Sequence, residues 1–269
     1  MRPSPKAFTL VEVLVVISII VILVSILVPS LEKAMAASQR SKCAANLSGI
    51  GKALGTYLSD SIARVYPRTV KPYGLLGQGG TETGYQETSD PNTNFGSGVR
   101  PLNKYLGISG DKAEVKIGEC PSDAGGQAVL RNDQTNYTFD KSAPNVYQAV
   151  GTSYAEAFGA AGYLGRTGIQ SAFGTSPMQA AAAKPAGSKV LLGDAPLFGE
   201  NKWAADRKNR WHSSDKTNRQ HTILFADYHA ELFSFKDPAQ AGPDNIENTG
   251  SGSPIGNTAA DFKPGRGYW

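Results

Sequence analysis

Lys6-Ala7-Phe8-Thr9-Leu10-Val11-Glu12 leads directly into VLVVISIIVILVSILVPSL, residues 13–31, and the next charge is Glu32. The only polar side chains in this run are Ser18, Ser25 and Ser30. As a helix rising about 1.5 Å per residue it reaches roughly 29 Å, close to a hydrocarbon core of about 30 Å. A cleaved secretory signal has a shorter apolar region, about 7–15 residues, with a small-residue cleavage site behind it. Pro29-Ser30-Leu31-Glu32-Lys33 fits such a site poorly. A buried soluble helix keeps a polar face, and this segment has none. It reads as a membrane-spanning helix.

The residues before Phe8 are few, polar and basic through Arg2 and Lys6. Glu12 is the anomaly. A carboxylate at the start of a membrane helix is costly and as a rule faces a partner. The most available partner is a cation made by cutting the chain before Phe8. The new α-amine would lie one helical turn from Glu12, or beside the Glu12 of a neighbouring subunit. Ala7 is small enough for a peptidase to read at that bond.

The stretch from Lys6 to Leu14 resembles the processing site of type IV pilins and type II secretion pseudopilins. The resemblance implies that a prepilin peptidase cuts between Ala7 and Phe8 and methylates the Phe8 amine. It implies that Glu12 docks each subunit into a filament and that Pro29 loosens the helix. Ala7 stands where Gly is more usual. The implied partners are the peptidase, other pilin or pseudopilin subunits in a homopolymer or mixed filament, and an inner-membrane assembly platform. The implied location is a single pass through the bacterial cytoplasmic membrane, with the head in the periplasm or outside the cell. Arg2 and Lys6 favour a cytoplasmic leader, although Lys33, Arg40 and Lys42 beyond the span weaken that bias.

Past the membrane the helical pattern continues. Leu47, Ile50, Leu54 and Leu58 repeat at three or four residues, as one core-facing stripe requires, and Ala34, Ala36, Ala37, Ala44, Ala45 and Ala53 favour helix. The pattern predicts a helix over residues 8–63, roughly 80 Å long, its first half in lipid and its second half on a globular head. Gly49, Gly51 and Gly55 weaken the second half but let a sheet approach closely. Short β-prone runs follow at 115–117, 135–139, 153–158, 190–192, 222–225 and 230–235, bounded by turn residues. Residues 74–98 read as a surface loop, and 100–106 and 178–183 as short helices. The expected organisation is a leader over 1–7, the long helix over 8–63 with its transmembrane part at 13–31, a head over 64–236, and a Gly/Pro/Asn-rich tail over 237–269. The fold class is α+β: a long N-terminal helix on a small antiparallel sheet with long loops.

Two further places extend the resemblance. Cys120-Pro121-Ser122-Asp123 and the segment from Phe225 to Glu231 are similar to CPSD and FADGHVE signatures of pilin-like proteins with extended heads. Cys43-Ala44-Ala45-Asn46-Leu47 matches a Cys-x-x-Asn-Leu segment of the same group. Tyr228 stands where that group has Gly, a residue suited to turns with φ > 0. Tyr228 therefore demands either another turn type or a strained one. Asp227 and His229 read as structural residues of this hairpin end. Both cysteines follow the anchor, so both enter an oxidising compartment. A strand end near Cys120, packed on the helix at Cys43, would bring them within the span of a disulfide; the alternative is two buried thiols.

Composition narrows the rest. Of 269 residues, 40% are hydrophobic and 19% charged, which excludes a disordered chain. Two cysteines make no disulfide-rich scaffold, and no CxxC pair is present for a zinc ribbon. GxSxG, HExxH, the P-loop and GxGxxG are absent. No spacing selects His212, His221, His229, Asp194 and Asp227 as a hydrolytic or metal constellation. Some major pseudopilins bind calcium in a C-terminal loop, but nothing assigns Asp194, Asp206, Asp215 and Asp227 as ligands. The reading is a non-enzymatic subunit with no metal and no cofactor. Lys202, Arg207, Lys208, Arg210, Lys216 and Arg219, interleaved with Trp203 and Trp211, read as a solvated basic loop. The alternatives are weak nucleic-acid binding through that loop, as in a DNA-uptake (competence) pilin, and a membrane-anchored hydrolase.

Overall fold

The computed structural model describes residues 9–62, 64, 66–67, 74–81, 96–110, 113–125, 131–132, 135–136, 144–156, 187, 190–195, 211–212 and 218–236. The elements are helix α1 (Leu10–Asp60), strands β1 (Arg131–Asn132) and β2 (Thr135–Asn136), helix α2 (Val146–Val150), and strands β3 (Tyr154–Glu156), β4 (Val190–Asp194), β5 (Asn218–Phe225) and β6 (Ala230–Lys236). Three 3₁₀ turns lie at Ser97–Val99, Asn103–Leu106 and Lys116–Gly118. The chain divides into two compact units, one ending at Gln39 and one starting at Arg40.

In the first unit the large apolar side chains from Leu10 to Leu31 are between 45% and 79% exposed. Burying one such side chain is worth about 1.5–3 kcal/mol. A row this long in water therefore costs on the order of tens of kcal/mol, and it needs lipid or other helices around it. The serine hydroxyls do not break the apolar surface. Ser18, Ser25 and Ser30 each donate to a carbonyl of the preceding turn, those of Leu14, Ile22 and Leu27, at 2.7 Å.

In the second unit α1 contributes the expected stripe. Cys43, Leu47, Ile50, Leu54 and Leu58 are buried in one cluster with Val150, Tyr154, Leu192, Leu224 and Phe225. The sheet has the order β3-β4-β5-β6 and is antiparallel throughout. Its hairpin β5–β6 runs in unbroken register from Asn218 opposite Lys236 to Leu224 opposite Ala230. The fold is thus the α+β arrangement of a long N-terminal helix with a small antiparallel sheet.

Tyr228 takes the strained option. Its φ is +70°, in a three-residue loop closed by Phe225 N donating to His229 O and Tyr228 N donating to Phe225 O, both at 2.9 Å. A left-handed residue at the third loop position is the usual solution for this loop length. Packing compensates: the ring lies against Gly55 of α1, where a Cβ would sit 3.3 Å from a ring carbon, and the Tyr228 carbonyl and Cβ lie against Gly51. Gly51→Ala would place its methyl 2.9 Å from a Leu224 methyl and 3.2 Å from the Tyr228 carbonyl. We expect it to destabilise by about 1–2 kcal/mol even after the helix-propensity gain of about 1 kcal/mol. Gly55→Ala meets only the movable end of the ring and should be neutral or stabilising. Denaturation followed by circular dichroism should show Gly51→Ala destabilised and Gly55→Ala at or above the parent's stability.

Several elements depart from the expectations. Residues 115–117 are no strand: Gly118 N donates to Val115 O at 2.8 Å and Glu119 N to Lys116 O at 3.1 Å, making a 3₁₀ turn. Its local bonds aim Ile117 at Gly49 and carry the chain to Cys120. The helix expected over 100–106 is a single 3₁₀ turn, bounded by Pro101 and by Gly107 at φ +73°. The presumed surface loop begins in the core, with Leu75 and Leu76 buried. The fourth departure is α2, capped by the Asn145 side chain accepting from Gln148 N and ended by Gly151 at φ +90°. A Cβ on Gly151 would lie 1.8 Å from the Gln78 carbonyl, so only glycine fits there. Helix α1 ends at Asp60. The expected helix at 178–183 and the tail at 237–269 lie outside the described residues.

Candidate functional site

At the start of α1, Thr9 precedes the first helical residue. Its backbone N–H and its hydroxyl both donate to Glu12 Oε2 at 2.8 Å, and Glu12 N donates back to Thr9 Oγ1 at 3.3 Å. This is a capping box: two orphan donors of the helix end are satisfied reciprocally. Glu12 is thereby held at the helix N-terminus, where the macrodipole favours an anion. The Thr-x-x-Glu spacing announces this cap, but the sequence reading assigned the carboxylate to the Phe8 amine alone and missed Thr9. Ala7 and Phe8 lie outside the described residues. Pro29 sits inside α1. It has no N–H to donate to the Ser25 carbonyl one turn back, yet the helix continues through it.

In the head, the structure joins Cys43 of α1 to Cys120 in a disulfide with a Cα–Cα distance of 5.1 Å. The neighbourhood is polar. Cys120 N donates to Ser153 Oγ at 3.0 Å, and Ser153 Oγ donates to Asp123 Oδ2 at 2.7 Å. The Asp123 carboxylate also accepts from Gly125 N, Val146 N and Tyr147 N at 2.9–3.0 Å. Burial pushes the Asp123 carboxyl up, while these hydrogen bonds pull it down by favouring the carboxylate. Asp123 therefore ties the Cys120 turn to the N-terminus of α2. Burial also drives the Tyr154 hydroxyl well above its usual range, with the nearby Asp194 adding to the effect.

Asp194 and His212, which no spacing selected, come together. His212 Nε2 lies 2.9 Å from Asp194 Oδ2, and both side chains are buried. Thr222 N donates to the same Asp194 oxygen at 2.6 Å. Thr222 Oγ1 is 3.4 Å from His212 Nε2. These are the residue types of a nucleophile, base and orienter, but a triad needs the two ring nitrogens on different partners. Here one nitrogen faces both Asp194 and Thr222, so the row has no hydrolytic geometry. His229 and Asp227 sit at the hairpin end. His229 Nδ1 is in hydrogen-bond contact with Asp227 Oδ1, and its ring stacks on Phe225 at 4.4 Å. Both are partly exposed and serve the turn.

Of the basic loop at 202–219, residues 211–212 and 218–219 are described. Trp211, which the nucleic-acid alternative would need as a stacking surface, is a core residue, 7% exposed, with Nε1 donating to Gly125 O at 2.9 Å. That removes one of the two aromatics from the nucleic-acid reading. Asp206 and Asp215 are also outside the described residues.

Residues 2–28 match the family model described as the prokaryotic N-terminal methylation motif. The match does not extend to Cys120–Asp123 or to the β5–β6 hairpin. No curated protein and no solved structure matches the chain. Helix α1 is the one described helix long and apolar enough to cross a membrane. Taken with the capped Glu12 and the exposed apolar row, the match makes this a type IV pilin-like protein: a prepilin peptidase substrate with a transmembrane helix, of the kind that assembles with other pilin subunits.

Proposed function

We propose that the chain is a structural subunit of a type II secretion pseudopilus or a related type IV pilus-like filament. Ala7–Phe8 is the bond cut, and the Phe8 amine is the group methylated. Before assembly the protein is anchored in the inner membrane by residues 13–31, leader inside and head outside. During assembly the apolar helices leave the bilayer and pack together, with Glu12 meeting a Phe8 amine. The observation that carries this reading is the coincidence, in one segment, of the methylation motif with an exposed apolar helix that begins at a buttressed carboxylate. Pro29 loosens the helix where lipid gives way to the head. The platform protein of the inner membrane is the assembly partner. The subunit itself needs no catalytic group, metal or cofactor for this work.

The test is reconstitution. Produced with its peptidase and assembly platform, the chain should appear in filaments that antibodies to the head decorate along their length. A chain that stays monomeric in the membrane under those conditions would refute the filament role.

A further inference from the structure

The disulfide is covered by parts of the chain that are made after both of its cysteines. Cys43 is 0% exposed and Cys120 1%. Tyr154 of β3 donates its hydroxyl to the Cys43 carbonyl at 3.4 Å. His212 Nε2 stands 3.7 Å from Cys120 Sγ, although it lies 92 residues further along the chain. Asp194 of β4 holds that ring at 2.9 Å, and Thr222 of β5 faces the same nitrogen at 3.4 Å. We propose that a dithiol–disulfide oxidoreductase outside the membrane is a partner of this chain, that it acts before β4 and β5 close over the sulfurs, and that the closed head then seals the bond against exchange. The proposal rests on the reading that places the head outside the membrane.

Thiol–disulfide exchange proceeds by a thiolate attacking a sulfur, so access decides when it can occur. If the head closed first, both thiols would lie in the core, and a protein oxidant would have to wait for that core to open. Core elements open with free energies that approach global unfolding, so oxidation in that order is slow. If oxidation comes first, both cysteines are in reach. Cys43 leads on α1 and Cys120 follows 77 residues later.

The interval is short. At about 5–20 residues per second, the 92 residues that separate His212 from Cys120 are made in roughly 5–20 s. Uncatalysed disulfide rearrangement takes minutes to hours. The interval therefore calls for a catalyst rather than a small-molecule oxidant.

The electrons and protons balance. The Cys43 thiolate attacks the disulfide of the oxidoreductase, giving a mixed disulfide and one thiolate on the enzyme. The Cys120 thiolate then attacks Cys43 Sγ, the bond to the enzyme breaks, and the enzyme leaves as a dithiol. Two electrons pass from the chain to the enzyme, and the two protons given up by the cysteines end on the enzyme's two thiols. Cys43 takes the first step because it leads in the chain. After closure, heads side by side on a filament cannot exchange sulfurs with one another.

The test uses the full-length chain in detergent. With the bridge intact and the head folded, dithiothreitol should reduce it at least a hundredfold more slowly than in denaturant. In the forward direction the reduced, unfolded chain is returned to native buffer, and a dithiol oxidoreductase in its disulfide form is added at once or after folding ends. Early addition should bridge most chains, and late addition should be at least tenfold slower. If the reduced head does not fold alone, as near-ultraviolet circular dichroism would show, the reduction measurement decides by itself. Reduction of the folded head as fast as of the unfolded chain would overturn the proposal. So would late oxidation as fast as early oxidation in a reduced chain that has folded. Free thiols on the chain taken from its native membrane, beside a head that seals in vitro, would overturn the partner and trace the fault to the outside placement.

Discussion

Glu12→Ala should be cut by the peptidase as readily as the parent chain and should be absent from filaments. The scissile bond lies between Ala7 and Phe8, away from the Glu12 side chain, so processing has no need of the carboxylate. Assembly does. Moving the helix from lipid into a bundle of apolar helices leaves the Phe8 amine in a medium where an unpaired charge costs several kcal/mol. Only Glu12 offers a carboxylate in this part of the chain, since the next one is Glu32. Each 1.4 kcal/mol lost is tenfold in a subunit's affinity for the filament end, so incorporation should fall by orders of magnitude. Glu12→Gln separates charge from capping. Its amide oxygen still accepts from Thr9, preserving the helix start, but it cannot neutralise an amine. Both variants should be cleaved and both excluded, as judged by immunoblots of membranes and of sheared filaments. Gln-containing subunits entering filaments at the parent's level would show that the cap, not the charge, is what assembly uses.

Cys43→Ser should cost the head the largest stability increment of any single change considered. The disulfide closes a sequence separation of 77 residues, worth roughly 4–5 kcal/mol in the chain-entropy model. The serine also leaves Cys120 as a buried thiol beside His212. For a head of this size the melting temperature should fall by about 10–15 °C. The unreduced parent, unfolded in denaturant, should show no reactive thiol. Two labelled thiols per chain would contradict the bridge, and an unchanged melting temperature would show that it adds nothing to the fold.

What was legible in the sequence is what repeats or is uniform. The membrane helix needs no tertiary information, because an uncharged run of this length has no other stable place. The Leu47, Ile50, Leu54, Leu58 stripe follows from helical periodicity alone, and the β5–β6 hairpin from two β-rich runs around a short polar turn. Short elements were harder. Helix α2 carries its own signals in Asn145 and Gly151, but its five residues are too few for a periodic pattern. The run at 115–117 has the composition of a strand, yet its neighbours set a turn. The His212–Asp194 contact was not legible at all. It depends on the pairing of β4 with β5, a long-range arrangement that no local spacing encodes. Tyr228 was readable as an exception, and its cost is offset by glycines of α1 that lie far away in sequence.

A processed filament subunit is recognised by the mass of the protein extracted from its native membrane. That mass should correspond to a chain that begins at Phe8 and carries one methyl group on its amine. A chain that retains residues 1–7 in membranes containing an active prepilin peptidase would contradict it.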